Sequence, residues 1–502
     1  MSKILLGAVA VLLVLVSCAP EAALETLIPS NAMAVVYIEH PLDVLADGSV
    51  LAKALGQADT QLPGDFPFAA LDLSRPMAAA VLPIAGAEDA GVPTLVVYLP
   101  IKEPKNVAEF QTFASKQGGL TAYQIGGQLG NWAVLATAGA AVPLPLPDGK
   151  YFELKRARLT EGRGISVYVS MKGVMDSMVF PEGFTEELKY LPALQKELDG
   201  VRLGVYATVA GAAPGGLGAS GVRVTLETDL KPGSSWKSSL ALLSTSTHLE
   251  DWALWLDDSA LVSLGLALPP VSAAEDPVWA TVGDKQLVQH LKNLRALIGP
   301  RVAVNLSAGL EPGAPQPVFS GVLEAKDPQA VRQALKSFIA SGAIQKNFLQ
   351  FAMDADTPLV YQDQPGGPLG VRSRLALGPF QVNFAWGKDK VYFASGKESA
   401  AVDALTVSGR VARPWNGTPP ASASLLASAS PGAWAKVFQD GTNPLEGLLK
   451  PASGASALQA SLQVQSDGNP RLQLWWGAGS LKAVAQAAGT ALGSLLTPQA
   501  TP

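Results

Sequence analysis

Cysteine is almost missing from this chain: its 502 residues contain one, Cys18. A single thiol excludes an intrachain disulfide framework. Histidine is scarce too. His40, His248 and His290 lie far apart, and no His-Glu-x-x-His is present, so no metal site is expected. Charged residues make up only 16% of the chain, against about 25% in ordinary soluble domains. The net charge is −5, and the charges are interspersed with no basic block. A nucleic-acid partner needs a basic face, so none is expected.

Catalytic motifs are missing as well. There is no Gly-x-Ser-x-Gly elbow and no Walker phosphate loop. Gly216-Leu-Gly218-Ala-Ser-Gly221 does spell Gly-x-Gly-x-x-Gly. A dinucleotide fingerprint opens a helix, whereas this one runs into the strand-like Val222–Thr228, so it reads as a hairpin loop. No cofactor is expected, and the chain reads as a non-enzyme.

What is present begins at the first residue. Met1-Ser2-Lys3 is followed by an uncharged apolar run ending in Leu15-Val16-Ser17-Cys18. That is the pattern of a secretory signal. The run is short against the ~20 residues that a membrane span needs, and no second run in the chain is long and apolar enough. The stretch resembles a bacterial lipoprotein signal, with Leu-Val-Ser-Cys as its lipobox. The resemblance implies cleavage before Cys18, a diacylglyceryl group on its thiol and acylation of its amine, palmitate being a usual chain. No thiol would then remain for redox chemistry. Ala19 follows the cysteine. By the same resemblance this favours the outer membrane facing the periplasm, with exposure on the cell surface left open.

The second signal is internal. Pro93-Thr-Leu-Val-Val-Tyr-Leu-Pro-Ile-Lys102-Glu-Pro104-Lys-Asn-Val107 lies over Pro317-Val-Phe-Ser-Gly-Val-Leu-Glu-Ala-Lys326-Asp-Pro328-Gln-Ala-Val331 at an offset of 224. The same offset relates Pro76 to Pro300 and Gly118 to Gly342. Each segment reads as a strand, a Lys-acid-Pro turn and a helix closed by glycine. Further on the offset becomes 258, relating Asn131–Thr137 to Asp389–Ser395 and Ile165–Ser170 to Ala423–Ser428.

These offsets predict an α+β fold of two tandem duplicated domains, with mostly antiparallel sheets and helices packed on one face. The layout is a signal peptide at 1–17, a lipidated tether at 18–23, one copy at 24–250, a second at 251–489 and a flexible tail at 490–502. An insert around 343–388 belongs to the second copy and holds Asp354, Asp356, Arg372 and Arg374. Strands are expected at Ala34–Ile38, Leu95–Leu99, Val134–Ala136, Ile165–Val169, Leu203–Val209 and Val222–Thr228. Helices are expected at Val107–Lys116 and Val331–Ile339. The body also resembles bacterial envelope proteins of unknown function. The residues that carry this are Leu27–Ile38, where a proline and a polar turn precede an apolar strand, and the repeated strand–Lys-acid-Pro–helix units. That family has no assigned activity.

Few residues invite chemistry. Asp257-Asp258 and Asp354-x-Asp356 could pair carboxylates for a glycosidase or bind Ca²⁺, although the second pair lacks the further ligands and glycine of a calcium loop and a solvated turn suits the first. Trp252, Trp255, Trp475 and Trp476 suit either sugar stacking or core packing. The abundance of Ala, Gly, Leu and Pro fits either a lipid-holding interior or a plain compositional preference. The expected function is binding or scaffolding by a lipid-anchored envelope protein. The alternatives are a carrier of lipid or another hydrophobic ligand, or a carboxylate-based glycan hydrolase. Cys18, the lipid attachment site, ties it to the membrane. Its other partner would be an envelope protein, a lipid or a glycan.

Overall fold

The computed structural model describes residues 24, 27–54, 65–83, 94–125, 131–137, 152, 164–173, 195–208, 221–237, 240, 249–268, 284–308, 317–343, 359–377, 380–396, 400–411, 415, 419–420, 422–437 and 457–477. The chain divides into two compact units. The first is Met1–Ala207 with Val224–Ser234; the second is Thr208–Arg223 with Ser235–Pro502.

The first unit contains β1 (Ala34–Ile38), α1 (Pro41–Ala54), β2 (Met77–Leu82), β3 (Thr94–Pro100), α2 (Val107–Gln117), β4 (Leu120–Ile125), β5 (Trp132–Thr137), β6 (Ile165–Ser170) and β7 (Leu198–Thr208). Its strands pair in the order β4–β5–β3–β2–β1–β6–β7, all antiparallel. In β1, Val35 and Tyr37 are buried and their neighbours half-buried, the period-two pattern of a strand with one wet face. In β5, all residues but the last are buried. One face of it joins a core of Val35, Tyr37, Val96 and Tyr98. The other meets Phe110 and Ala114 of α2. Burying a phenylalanine as fully as Phe110 contributes roughly 1.5–3 kcal/mol. Gly118 ends α2 at φ 65°, a left-handed position that glycine takes at little cost.

β8 (Gly221–Leu230) follows. The second unit continues with β9 (Val262–Ala267), α3 (Lys285–Leu297), β10 (Ile298–Ala308), β11 (Pro317–Ala325), α4 (Pro328–Ala340), β12 (Leu359–Pro365), β13 (Val371–Leu377), β14 (Phe380–Trp386), β15 (Lys390–Ser395), α5 (Ala400–Ser408), β16 (Ala423–Ala429), α6 (Pro431–Val437), β17 (Leu458–Val464) and β18 (Pro470–Gly477). Pairing runs β12–β13–β14–β15–β11–β10–β9–β16–β17–β18, again antiparallel. Val331 and Phe338 of α4 are buried, and Asp327 caps it by accepting from the N–H groups of Gln329 and Ala330.

The expected fold class is overturned. The structure is mostly β, with eighteen strands in antiparallel pairing among the described residues, rather than α+β. The reading of two tandem duplicated domains falls with it: 208–223 belongs to the second unit and 224–234 to the first, out of sequence order, and no clear duplication of domains emerges. The reason is physical. An amphipathic helix of ten or more residues leaves a loud periodic signal, while strands such as Met-Ala-Ala-Ala-Val-Leu in β2 leave almost none. Repeated segments fix local elements, but long-range pairing decides how those elements are partitioned.

Candidate functional site: two buried sheet faces

In the first unit, cross-strand partners line up along one face. Tyr123 of β4 opposes Val134 of β5, which opposes Tyr98 of β3, then Ala78 of β2, Tyr37 of β1 and Ser166 of β6. Opposed residues share a face, and so does Trp132, two residues from Val134. Tyr98 is fully buried and Trp132 is 1% exposed. Yet the hydroxyls of Tyr98 and Tyr123 and the indole N–H of Trp132 have no hydrogen-bond partner. Burial pushes the Tyr98 phenol well above its ordinary range, with the neighbouring Tyr123 adding to it, and burial raises Tyr123 to about 12. Each unmatched buried polar group costs about 1–3 kcal/mol. The guanidinium of Arg75 lies 4.8 Å from the centre of the Trp132 ring.

In the second unit, the corresponding kind of row is polar. Asn305 of β10 opposes Ser263 of β9, then Ser428 of β16, Gln459 of β17 and Trp475 of β18. All five are at most 5% exposed. Here a chain segment lies on the row. The Asn305 amide donates to the Trp255 carbonyl at 2.9 Å and accepts from the Asp257 N–H at 2.9 Å. The Ser263 hydroxyl donates to the Asp257 carbonyl at 2.8 Å. The Gln459 amide donates to the Asp258 carboxylate at 3.0 Å. Ser428 and Trp475 stay unmatched. Trp252 and Trp255, at the start of this segment, are buried in the apolar core, where Trp255 meets the Tyr392 ring edge-on at 5.7 Å.

A second polar cluster lies within the region expected as an insert. The Ser373 hydroxyl accepts from Tyr361 at 2.8 Å and from the Trp386 indole at 2.9 Å, and donates to Asp363 at 2.6 Å. That saturates a hydroxyl. Arg332 of α4 adds a two-pronged ion pair to Asp363, at 2.8 and 3.1 Å. These bonds, Arg332 first, hold the Asp363 carboxyl down at about 2. A carboxylate so well satisfied is a poor general base near neutral pH. The cluster fastens β12 and β13 to α4.

Most sequence candidates land apart from one another. Asp257 makes a turn, its carboxylate accepting from the N–H and hydroxyl of Ser259. His40 is exposed at the start of α1, and His290 stacks on Phe338 at 5.2 Å. Arg372 pairs with Asp403. Trp475 is buried and Trp476 half-buried. Cys18, His248, Asp354, Asp356 and residues 216–220 of the glycine-rich loop lie outside the described residues, while Gly221 opens β8. Among the described residues no three His, Cys, Asp or Glu side chains cluster as a metal site would require, and no helix is long and apolar enough to cross a membrane.

Sequence reasoning missed Asn305, Ser263, Gln459 and Ser373. Their signal was a polar residue in the inward phase of an alternating strand. Comparison with known proteins adds no identity. No family model, curated protein or solved structure matches the chain.

Proposed function

We propose that this chain is a non-enzymatic, lipid-anchored envelope protein whose body binds or scaffolds at a membrane surface, most simply at the outer membrane facing the periplasm. Leu15-Val16-Ser17-Cys18, closing an apolar run after Lys3, carries the reading. Each buried methylene of an acyl chain contributes about 0.8 kcal/mol, and two chains suffice for stable attachment. The body fits binding better than turnover. Asp257, Asp258 and Asp363 are all engaged by amide, hydroxyl or arginine partners.

The test is mass spectrometry of the N-terminal peptide from protein purified from its own membranes. The expected peptide begins at Cys18 and carries acyl mass, and Cys18→Ser should leave the protein unlipidated and release most of it from the membrane where the signal is still cleaved. A peptide beginning at an unmodified Cys18, or at Met1, overturns the anchor.

A second reading, a carrier of a lipid or other hydrophobic ligand, is favoured by one observation. Tyr98, Tyr123 and Trp132 hold three unmatched polar atoms at one face of a largely apolar core.

A further inference from the structure

We propose that the face formed by Tyr98, Tyr123 and Trp132 is a binding site for an acyl chain, whose carbonyl oxygens accept hydrogen bonds from these three side chains. The inference deepens the carrier reading and does not depend on the anchor.

Three observations converge on it. Buried polar atoms in folded proteins nearly always have partners, so each exception asks for an explanation. Here three exceptions share one face. Tyr98 and Tyr123 flank Val134 on adjacent strands, about 10 Å apart at the backbone, and Trp132 sits one step along the middle strand. Second, the donor set fixes the chemistry of the partner. An indole N–H only donates, and a buried phenol donates readily, so the missing group must accept. Third, the surroundings fix the rest of the ligand. Leu27, Val96, Val134 and Phe152 belong to the same core, so the body of the ligand must be apolar. A carbonyl at the end of a hydrocarbon chain meets both demands.

An acyl chain could come from two sources. One is a lipid taken from the membrane. The other is the chain's own lipid at Cys18. Leu24 is buried in this same core, and six residues of extended backbone reach at most about 20 Å.

The test uses the full-length protein in detergent micelles, in lipidated and Cys18→Ser forms, each also carrying Tyr98→Phe with Tyr123→Phe. Thermal unfolding is followed with palmitic acid or with hexadecane, which lacks an acceptor. Palmitic acid should raise the Tm of the Cys18→Ser protein by on the order of 5 °C at saturation. Hexadecane should do less, and the double phenylalanine variant should lose the difference. A response confined to Cys18→Ser identifies the chain's own lipid as occupant, and a response in both forms identifies a carried lipid. Trp132→Phe, which keeps a ring and removes the N–H, serves as a second variant with the same expected loss. Near-UV circular dichroism checks that the variants keep the native fold. Equal responses of wild type and variants to palmitic acid, or none, overturn the site and leave water as the partner. An unacylated Cys18 peptide would sink the anchor while leaving this result intact.

Discussion

On one face of the first unit Tyr98, Trp132 and the half-buried Tyr123 all leave a buried polar atom unmatched, while in the polar row of the second Asn305, Ser263 and Gln459 have partners in place and only Ser428 and Trp475 do not. Both sets sit on strands, facing inward. They differ in what covers them. In the second unit the segment around Trp255–Ser259 brings backbone N–H and carbonyl groups, which are obligatory hydrogen-bonding partners. In the first, the described core residues around the aromatic face are mostly apolar. Burial alone therefore says little about the energetic role of a polar side chain. The covering layer decides whether it acts as a fastener or as a donor awaiting an acceptor.

The strongest way to break this comparison is Asn305→Ala. It would strand both the Trp255 carbonyl and the Asp257 N–H in the interior, at a cost of about 3 kcal/mol. Urea denaturation measures it, and a loss below about 1 kcal/mol would mean that the covering segment is not held by the polar row.

Ser373→Ala should come next, at about 2 kcal/mol, because it deprives Tyr361, Trp386 and Asp363 of one shared partner. The same cluster predicts a pH effect. The folded Asp363 carboxyl titrates at about 2, below its ordinary value of 3.8. Its stabilising contribution is thus complete above about pH 4 and is lost as pH falls through about 2. Asp363→Asn should flatten the acid limb of the stability–pH profile, and an unchanged limb counts against the clamp.

The smallest effect should carry the opposite sign. In protein stripped of lipid, Tyr98→Phe removes a buried hydroxyl that has no partner. Stability should stay level or rise by up to about 1 kcal/mol. A loss of about 2 kcal/mol or more in the melting curve would reveal a partner for that hydroxyl in the lipid-free protein and erase the contrast between the two faces.

A second contrast shows how far residue-level reading reaches. Lys102-Glu103-Pro104 and Lys326-Asp327-Pro328 look alike in sequence. Asp327 caps α4 with two hydrogen bonds. Glu103 makes no cap, and a 3-10 turn at Pro104–Asn106 precedes α2. The shorter carboxylate reaches the first free N–H groups and the longer one does not, as N-cap preferences describe. Both helices, their closing glycines, and strands such as Ala34–Ile38 and Ile165–Val169 were legible for that reason. Each depends on a few neighbouring residues.

By itself the sequence determined these local elements and pointed to a candidate membrane address at Cys18. It also bounded the chemistry, through one cysteine and three scattered histidines. Only the tertiary structure decided that strands dominate and how they pair. It also decided that Asn305 lies opposite Ser263, and Ser428 opposite Gln459. Local elements follow from backbone preference and side-chain period, which a short window contains. The buried rows join residues from strands more than a hundred positions apart, and antiparallel register is set by the whole sheet.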